Sequence, residues 1–493
     1  MKTIYTCICF IILFNYTATS NEIINRCGMD AILQQDFKNQ STSSDTYLRQ
    51  INNVVNSIAA YDTTRANTDS VYTVQVVVHV VYLNDNKYEN IPDDIVRSQI
   101  DALNRDYNLA NEDTVNLRPF FKPFQGNARI KFELATKTPS GAPTNGITRT
   151  KGQLGSLTGW SPLSNPLLYA LNIEAVKSDY LPGVDSKGKS SWNTAKYINI
   201  WVCDLNVENR KCKTCLTVCD TCGTLLGIAT PPANAINWGP LALEKGANDG
   251  IIIDFRGFGQ GNWFARDSAS HRFLEFYAKG RTPVHEVGHY LGLQHTWGNV
   301  IPVLTPDGCA VDDFIDDTPE ELQAFAANLV KGTLNPCDTS INTCTKTYLG
   351  IDFPDMYENY MDYSTDLCYN LFTKQQVNLM RYNLLTRRAG LITKREAAPN
   401  IPTGIKSNTT NINGITVYPN PTTTLLNIQL DKPFANNLKL EIVDITGALV
   451  HTATIYSGNT FFSLPINELP AAMYFLRITE NENRQYVKFM KQE

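Results

Sequence analysis

Three histidines and a glutamate stand together in the string HEVGHYLGLQH, residues 285–295. On a helix, residues four apart lie on one face, one turn above the other. His285 and His289 can therefore aim ring nitrogens at one point, and a zinc ion takes nitrogen ligands at ~2.0–2.1 Å. Gly292 tolerates a backbone conformation that a side chain resists, so the chain can turn sharply there and bring His295 round as a third ligand. Three protein nitrogens leave one position open to water, the arrangement of a catalytic zinc site rather than a structural one. Glu286, beside the first ligand, is placed to take a proton from that water. Just upstream, Thr282 and Pro283 suit the N-cap and N1 positions of the helix. The chain has only six histidines, and three of them fall in this string at ligand spacing.

Other groups with chemistry lie outside that string. Asn359-Tyr360-Met361-Asp362-Tyr363-Ser364 puts one methionine in an aromatic loop. DDFIDDTP, residues 312–319, concentrates the oxygen ligands a hard cation such as calcium prefers, with Asp313, Asp316 and Thr318 as the expected set. Cys27 sits in Arg-Cys-Gly near the N-terminus, and a thiolate is a strong zinc ligand. Cys212, Cys215, Cys219 and Cys222 form C-x2-C-x3-C-x2-C, with only three residues between the pairs. Common zinc ribbons separate their pairs by roughly 12 residues or more, so disulfides are the expectation here. Setting aside Cys7, Cys9 and Cys27 leaves nine of twelve cysteines, with Cys203 among them, so at least one is unpaired or bridges another molecule.

The elements that position these groups are legible in outline. Lys2, the apolar core Ile8–Phe14 and the small residues Ala18-Thr19-Ser20 read as a signal peptide over 1–20, which implies export and an oxidising environment. Residues 21–64 are polar and lean towards helix. Residues 72–82 (YTVQVVVHVVY) are a β-branched run long enough for a buried strand. A helix is expected over 91–107. Strands are expected over Ile130–Ala135, Tyr197–Leu205, 223–229 and 249–255, followed by a helix over about 267–291 that carries the histidines. The order implies a mixed α/β unit. Residues 393–413 are polar and read as a linker, and short alternating strands after it imply a β-sandwich over 414–493.

The formal net charge of −5 supplies no basic field for nucleic acid. No uncharged apolar run reaches the ~20 residues a membrane span requires.

Taken with their surroundings, HEVGHYLGLQHTWG, CAVDDFIDDTP and ENYMDYSTDLCYNLFTKQQVNLM resemble the pappalysin family of metzincin metallopeptidases, most of all its small microbial members. The resemblance covers roughly 65–390 and is most specific over 281–382. It implies an α/β metzincin catalytic domain over 65–392, with a mixed twisted sheet, an active-site helix and a Met-turn at Met361. It implies that Tyr363 stabilises the tetrahedral intermediate and that Asp366 lies at the bottom of the S1′ pocket, selecting a basic residue. It also implies the pairings Cys309–Cys344 and Cys337–Cys368, a calcium site in DDFIDDTP, and Cys27 as a cysteine switch on the zinc of a latent precursor with a propeptide over 21–64. A basic P1′ preference allows self-cleavage at Thr64–Arg65, and a second cut at Lys394 or Arg395. The C-terminal unit resembles the type-A sorting domain of the Bacteroidetes type IX secretion system through ITVYPNPTTTLLNIQL, EIVDITG, ELPAAMYFLRI and YVKFMKQ, with Ala472 where a glycine is usual. The expected product is a secreted, zymogenic zinc endopeptidase acting on proteins and peptides. The alternative is a catalytically silent adhesin on the same scaffold, which casein hydrolysis with and without a zinc chelator would separate.

Overall fold

A computed structural model describes residues 24–29, 70–83, 89–152, 176–179, 188–205, 224–233, 235, 238, 249–261, 278–298, 309, 312–322, 337, 339–345, 347–348 and 351–397. It also describes 415–492 apart from 420–421, 431–435, 445–447, 459 and 481–482. The expected signal peptide, most of the expected pro-segment, Arg65, the four-cysteine insertion, the front of the expected 267–291 helix and residues 398–414 lie outside the described residues.

Strand β2 (Ser70–Tyr82) organises an eight-stranded mixed sheet. Its valine run is buried almost throughout, as a strand covered on both faces demands. Strands β3 (Ile130–Leu134), β4 (Ile147–Lys151) and β5 (Ile198–Cys203) all pair with β2 in parallel. Strand β7 (Ile251–Asp254) follows β5 in parallel, and β6 (Thr224–Ala229) runs antiparallel to β7. The N-terminal segment adds β1 (Ile24–Cys27), parallel to β6.

Helix α1 (Asp93–Tyr107) turns Ile95, Val96, Ile100 and Leu103 into the core. Helix α2 (Arg281–Tyr290) packs against α1, β6 and β7 and is buried along its whole length. A short hairpin, β8 (Thr347–Tyr348) with β9 (Ile351–Asp352), precedes the Met-turn segment. Helix α3 (Lys374–Thr386) follows it, opened by a capping box between Thr373 and Gln376. The disulfides Cys309–Cys344 and Cys337–Cys368 have the pairing the resemblance implied, and they tie the segment after α2 to the Met-turn loop.

Two expectations are corrected. The start of the linker, residues 393–397, belongs to β10 (Ile392–Ala397), which pairs antiparallel with β2. The segment reads as linker because its side chains face outward. An edge strand of this kind is held by backbone pairing, which composition does not reveal. Arg395 is opposite Tyr72 in that ladder and donates to the Ser70 hydroxyl at 3.2 Å, so a cut at Lys394 or Arg395 first requires β10 to unzip. The second correction is the start of α2, which is Arg281. Gly280 takes the N-cap position at φ 74°, and Thr282 and Pro283 lie inside the first turn. The Thr282 hydroxyl makes no capping bond, and a carboxylate from elsewhere, Asp366, accepts the amide of Arg281 at the helix start and that of Lys279 just before it.

The C-terminal unit is all β. Strands β11 (Ile415–Tyr418), β12 (Leu425–Leu430) and β15 (Phe461–Pro465) form one sheet. Strands β13 (Leu438–Asp444), β14 (Leu449–Ile455), β16 (Ala472–Glu480) and β17 (Asn483–Lys491) form the other. Leu426, Ile428, Leu440, Ile442, Leu476 and Ile478 contribute to their shared core.

Candidate metal centre

The helical spacing of His285 and His289 and the turn at Gly292 bring three imidazoles to one point. Gly292 has φ 101°, and a Cβ there would lie 2.1 Å from Asn383 Nδ2. Asn383, on α3, donates to the Leu291 carbonyl at 2.9 Å, and the Trp238 indole donates to the Gly292 carbonyl at 2.8 Å. The turn is thus fixed from two sides. His289 Nε2 stands 3.1 Å from both His285 Nε2 and His295 Nε2. Two nitrogens bound tetrahedrally to one zinc at ~2.0–2.1 Å would be roughly 3.3 Å apart, so the spacing fits that ion.

Proton bookkeeping points the same way. His285 Nδ1 faces the Tyr360 carbonyl and His289 Nδ1 faces the Leu293 carbonyl, each at 2.7 Å. A carbonyl only accepts, so both Nδ1 atoms carry the proton and both Nε2 atoms present lone pairs. Lone pairs facing one another at that distance repel unless a cation sits between them. Burial, with His295 beside it, also pushes the His289 pKa well below its ordinary value and keeps the ring neutral, as a ligand must be.

Cys27 completes the group. Its sulfur and the three histidine nitrogens all lie within 4.8 Å of one another, and all four residues are buried. Strand β1 delivers it: Cys27 is in register with Gly227 on β6, and the Gly28 amide donates to the Gly227 carbonyl at 3.0 Å. Glu286 is buried beside the sulfur, with Cys27 Sγ 3.6 Å from its Oε2.

Two glycines that the sequence did not single out make this closeness possible. A Cβ on Gly227 would lie 2.7 Å from Glu286 Cγ and Oε1, and one on Gly288 would lie 2.5 Å from Met361 Sδ. Met361 is buried directly under the α2 turn that carries the first two histidines. Trp297 was also missed. Its ring stacks on His295 at 4.5 Å and 12°, and Tyr363 stands edge-on to both rings at 4.7 and 4.6 Å.

Residues 273–385 match the family model described as pregnancy-associated plasma protein-A, and residues 416–492 match the secretion system C-terminal sorting domain. A promirolysin mutant of Tannerella forsythia is 31% identical over 74% of this chain and 96% of its own, with a TM-score of 0.51. This chain belongs to the pappalysin family of metallopeptidases. A mature Tannerella forsythia mirolysin in complex with a cleaved peptide is 33% identical over 66% of this chain and 96% of its own, with a TM-score of 0.46. An extracellular metalloprotease of Arthroderma benhamiae is 36% identical over 115 residues, 23% of this chain. The chain spans about a third of the length of that curated relative, 35%.

In this pappalysin, Asp366 is fully buried and serves the active-site helix. Its Oδ2 accepts the amides of Lys279 at 2.9 Å and Arg281 at 3.1 Å. The acidic segment divides. Asp316 is exposed, whereas Asp313, Asp317 and Thr318 are buried. Asp313 Oδ1 accepts from the Ile315 amide and the Thr318 hydroxyl, while Asp313 Oδ2 and Asp317 Oδ1 are buried with no hydrogen-bond partner among the described residues. Burial, with Asp312 nearby, pushes the Asp313 carboxyl well up, and burial raises Asp317 to about 6. A bound cation would remove that penalty.

Proposed function

We propose that this pappalysin is a secreted, zinc-dependent endopeptidase made as a latent precursor, which cleaves before Arg or Lys. The observation that carries the reading is the buried quartet of Cys27, His285, His289 and His295 with Glu286 against it. His285, His289 and His295 would hold the zinc, and Cys27 would fill the fourth position until the pro-segment leaves. Bound there, zinc would act as a Lewis acid on the scissile carbonyl.

The chain's own residues do the rest. Glu286 takes a proton from the attacking water and passes it to the leaving amine, so one water is consumed and an acid and an amine form. The Tyr363 hydroxyl, freed from Cys27, donates to the oxygen on which negative charge develops. Asp366 accepts a basic P1′ side chain, with Arg favoured because its guanidinium can make two parallel bonds. Asp313, Asp317 and Thr318 would hold calcium. The signal peptide and the sorting domain carry the protein through the cell envelope, the latter by the type IX machinery.

The test is a peptide-library cleavage profile of the matured protein, with N-terminal sequencing beside the Glu286→Ala precursor. Cleavage before Arg and Lys is expected, with a mature N-terminus at Arg65 that the inactive variant lacks. A library cut mainly before acidic or apolar residues would overturn the P1′ assignment.

A further inference from the structure

Asp366 is held from two directions by one residue. Its carboxylate takes the Lys279 and Arg281 amides at 2.9 and 3.1 Å, and its own carbonyl accepts from Arg281 Nη1 at 2.5 Å. Arg281 therefore closes a bracket round Asp366, its backbone amide on the carboxylate and its guanidinium on the peptide group.

The guanidinium is buried and its remaining edges are engaged. Nη2 donates to Asp113 at 2.7 Å, and Nε donates to Asp106 at 3.2 Å. Its face lies 5.6 Å from the Tyr360 ring, and the Tyr360 carbonyl is the acceptor for His285 Nδ1. The two acids are fixed in turn. Arg105 grips both oxygens of Asp106 at 2.7 and 2.8 Å, and Lys279 holds Asp113 at 3.1 Å. A planar fork with five donors can serve two carboxylates and a carbonyl together, whereas an ammonium on a flexible stem cannot match that geometry.

We propose that Arg281 is the positioning residue of the S1′ pocket. It fixes the depth and orientation of Asp366 and so sets the selectivity for a basic side chain without touching the substrate. The inference rests on the reading of Asp366 as the specificity residue. A carboxylate that is to receive a charged side chain must be held within about 0.5 Å of the productive geometry. Loosening Arg281 should lower discrimination while leaving the metal ligands in place.

The test uses the matured full chain and three peptides that differ only at P1′: Arg, Lys and Ala. The readout is the ratio of kcat/KM for P1′ Arg over P1′ Ala, which does not depend on the active fraction, together with bound zinc per chain by atomic absorption. Asp366→Asn should reduce the ratio roughly 10- to 100-fold, the worth of one bond to a charged group. Arg281→Met should reduce it comparably and Arg281→Lys by less, with zinc per chain unchanged. If Arg281→Met yields no folded protein, Arg281→Lys and Asp113→Asn carry the test, each with a smaller fall. A wild-type ratio in the Arg281 and Asp113 variants, beside a collapsed ratio in Asp366→Asn, would overturn the positioning role alone. A wild-type ratio in Asp366→Asn would overturn both it and the pocket assignment beneath it.

Discussion

The Tyr363 hydroxyl donates to the Cys27 carbonyl at 3.0 Å, so the residue that brings its sulfur to the histidines also occupies the phenol. The pro-segment would then hold two groups needed for turnover, not one. Cys27→Ala should weaken latency without abolishing it, since β1 stays paired with β6 and its carbonyl keeps Tyr363. The precursor should mature sooner than wild type in a time course on gels. A precursor structure with the Cys27 sulfur in a disulfide far from the histidines would refute the switch.

Glu286→Ala should bind zinc as wild type does, because the Tyr360 and Leu293 carbonyls hold the Nδ1 atoms of His285 and His289. Turnover should fall by about 10²–10⁴-fold, the share general-base catalysis supplies. Atomic absorption and casein hydrolysis on the same sample decide it. Near-wild-type hydrolysis would remove Glu286 from the mechanism.

Gly227→Ala tests the close approach of β6 to the base. The new Cβ would lie 2.7 Å from Glu286 Cγ and Oε1 on a strand whose backbone is paired on both sides, so the carboxylate must move. Overpacking costs about 1–3 kcal/mol, and kcat should drop more steeply than Tm. Unchanged kcat would mean the glutamate has room to spare.

The Asp313 and Asp317 carboxylates should couple stability to calcium. Wild-type Tm should rise on adding calcium to chelated protein, and Asp313→Asn should blunt that rise. In chelated protein the same variant should be no less stable, because burial already favours the uncharged acid. An equal calcium response in both proteins would exclude the site.

His79 gives the fold a weakness towards acid. It is buried between Thr148 Oγ1 at 2.7 Å and Asn199 Oδ1 at 3.0 Å, and burial lowers its pKa from 6.5 to about 4. Below pH 6.5 the unfolded chain takes up a proton that the folded chain refuses until about pH 4, so stability is lost as the pH falls through that window. The full effect is about 3 kcal/mol. His79→Gln should flatten the fall in Tm between pH 6.5 and 4, and an unchanged slope would place the sensitivity elsewhere.

The sequence alone determined which three histidines could meet at one point. His285, His289 and His295 reach one point because helical pitch and a single left-handed glycine fix their spacing over eleven residues, and that is local information. The valine run of β2, the helix over 93–107 and the C-terminal strands were legible for the same reason, since periodicity is written residue by residue. What only the tertiary structure decided are the contacts between distant segments. The start of α2 is set by Asp366, 85 residues from Arg281, so local capping signals at Thr282 and Pro283 pointed two residues too far in. The polar strand β10 is held by backbone pairing to β2, which side-chain composition does not record. Asp316 and Asp317 are adjacent and chemically identical. Only the packing around them buries one and exposes the other.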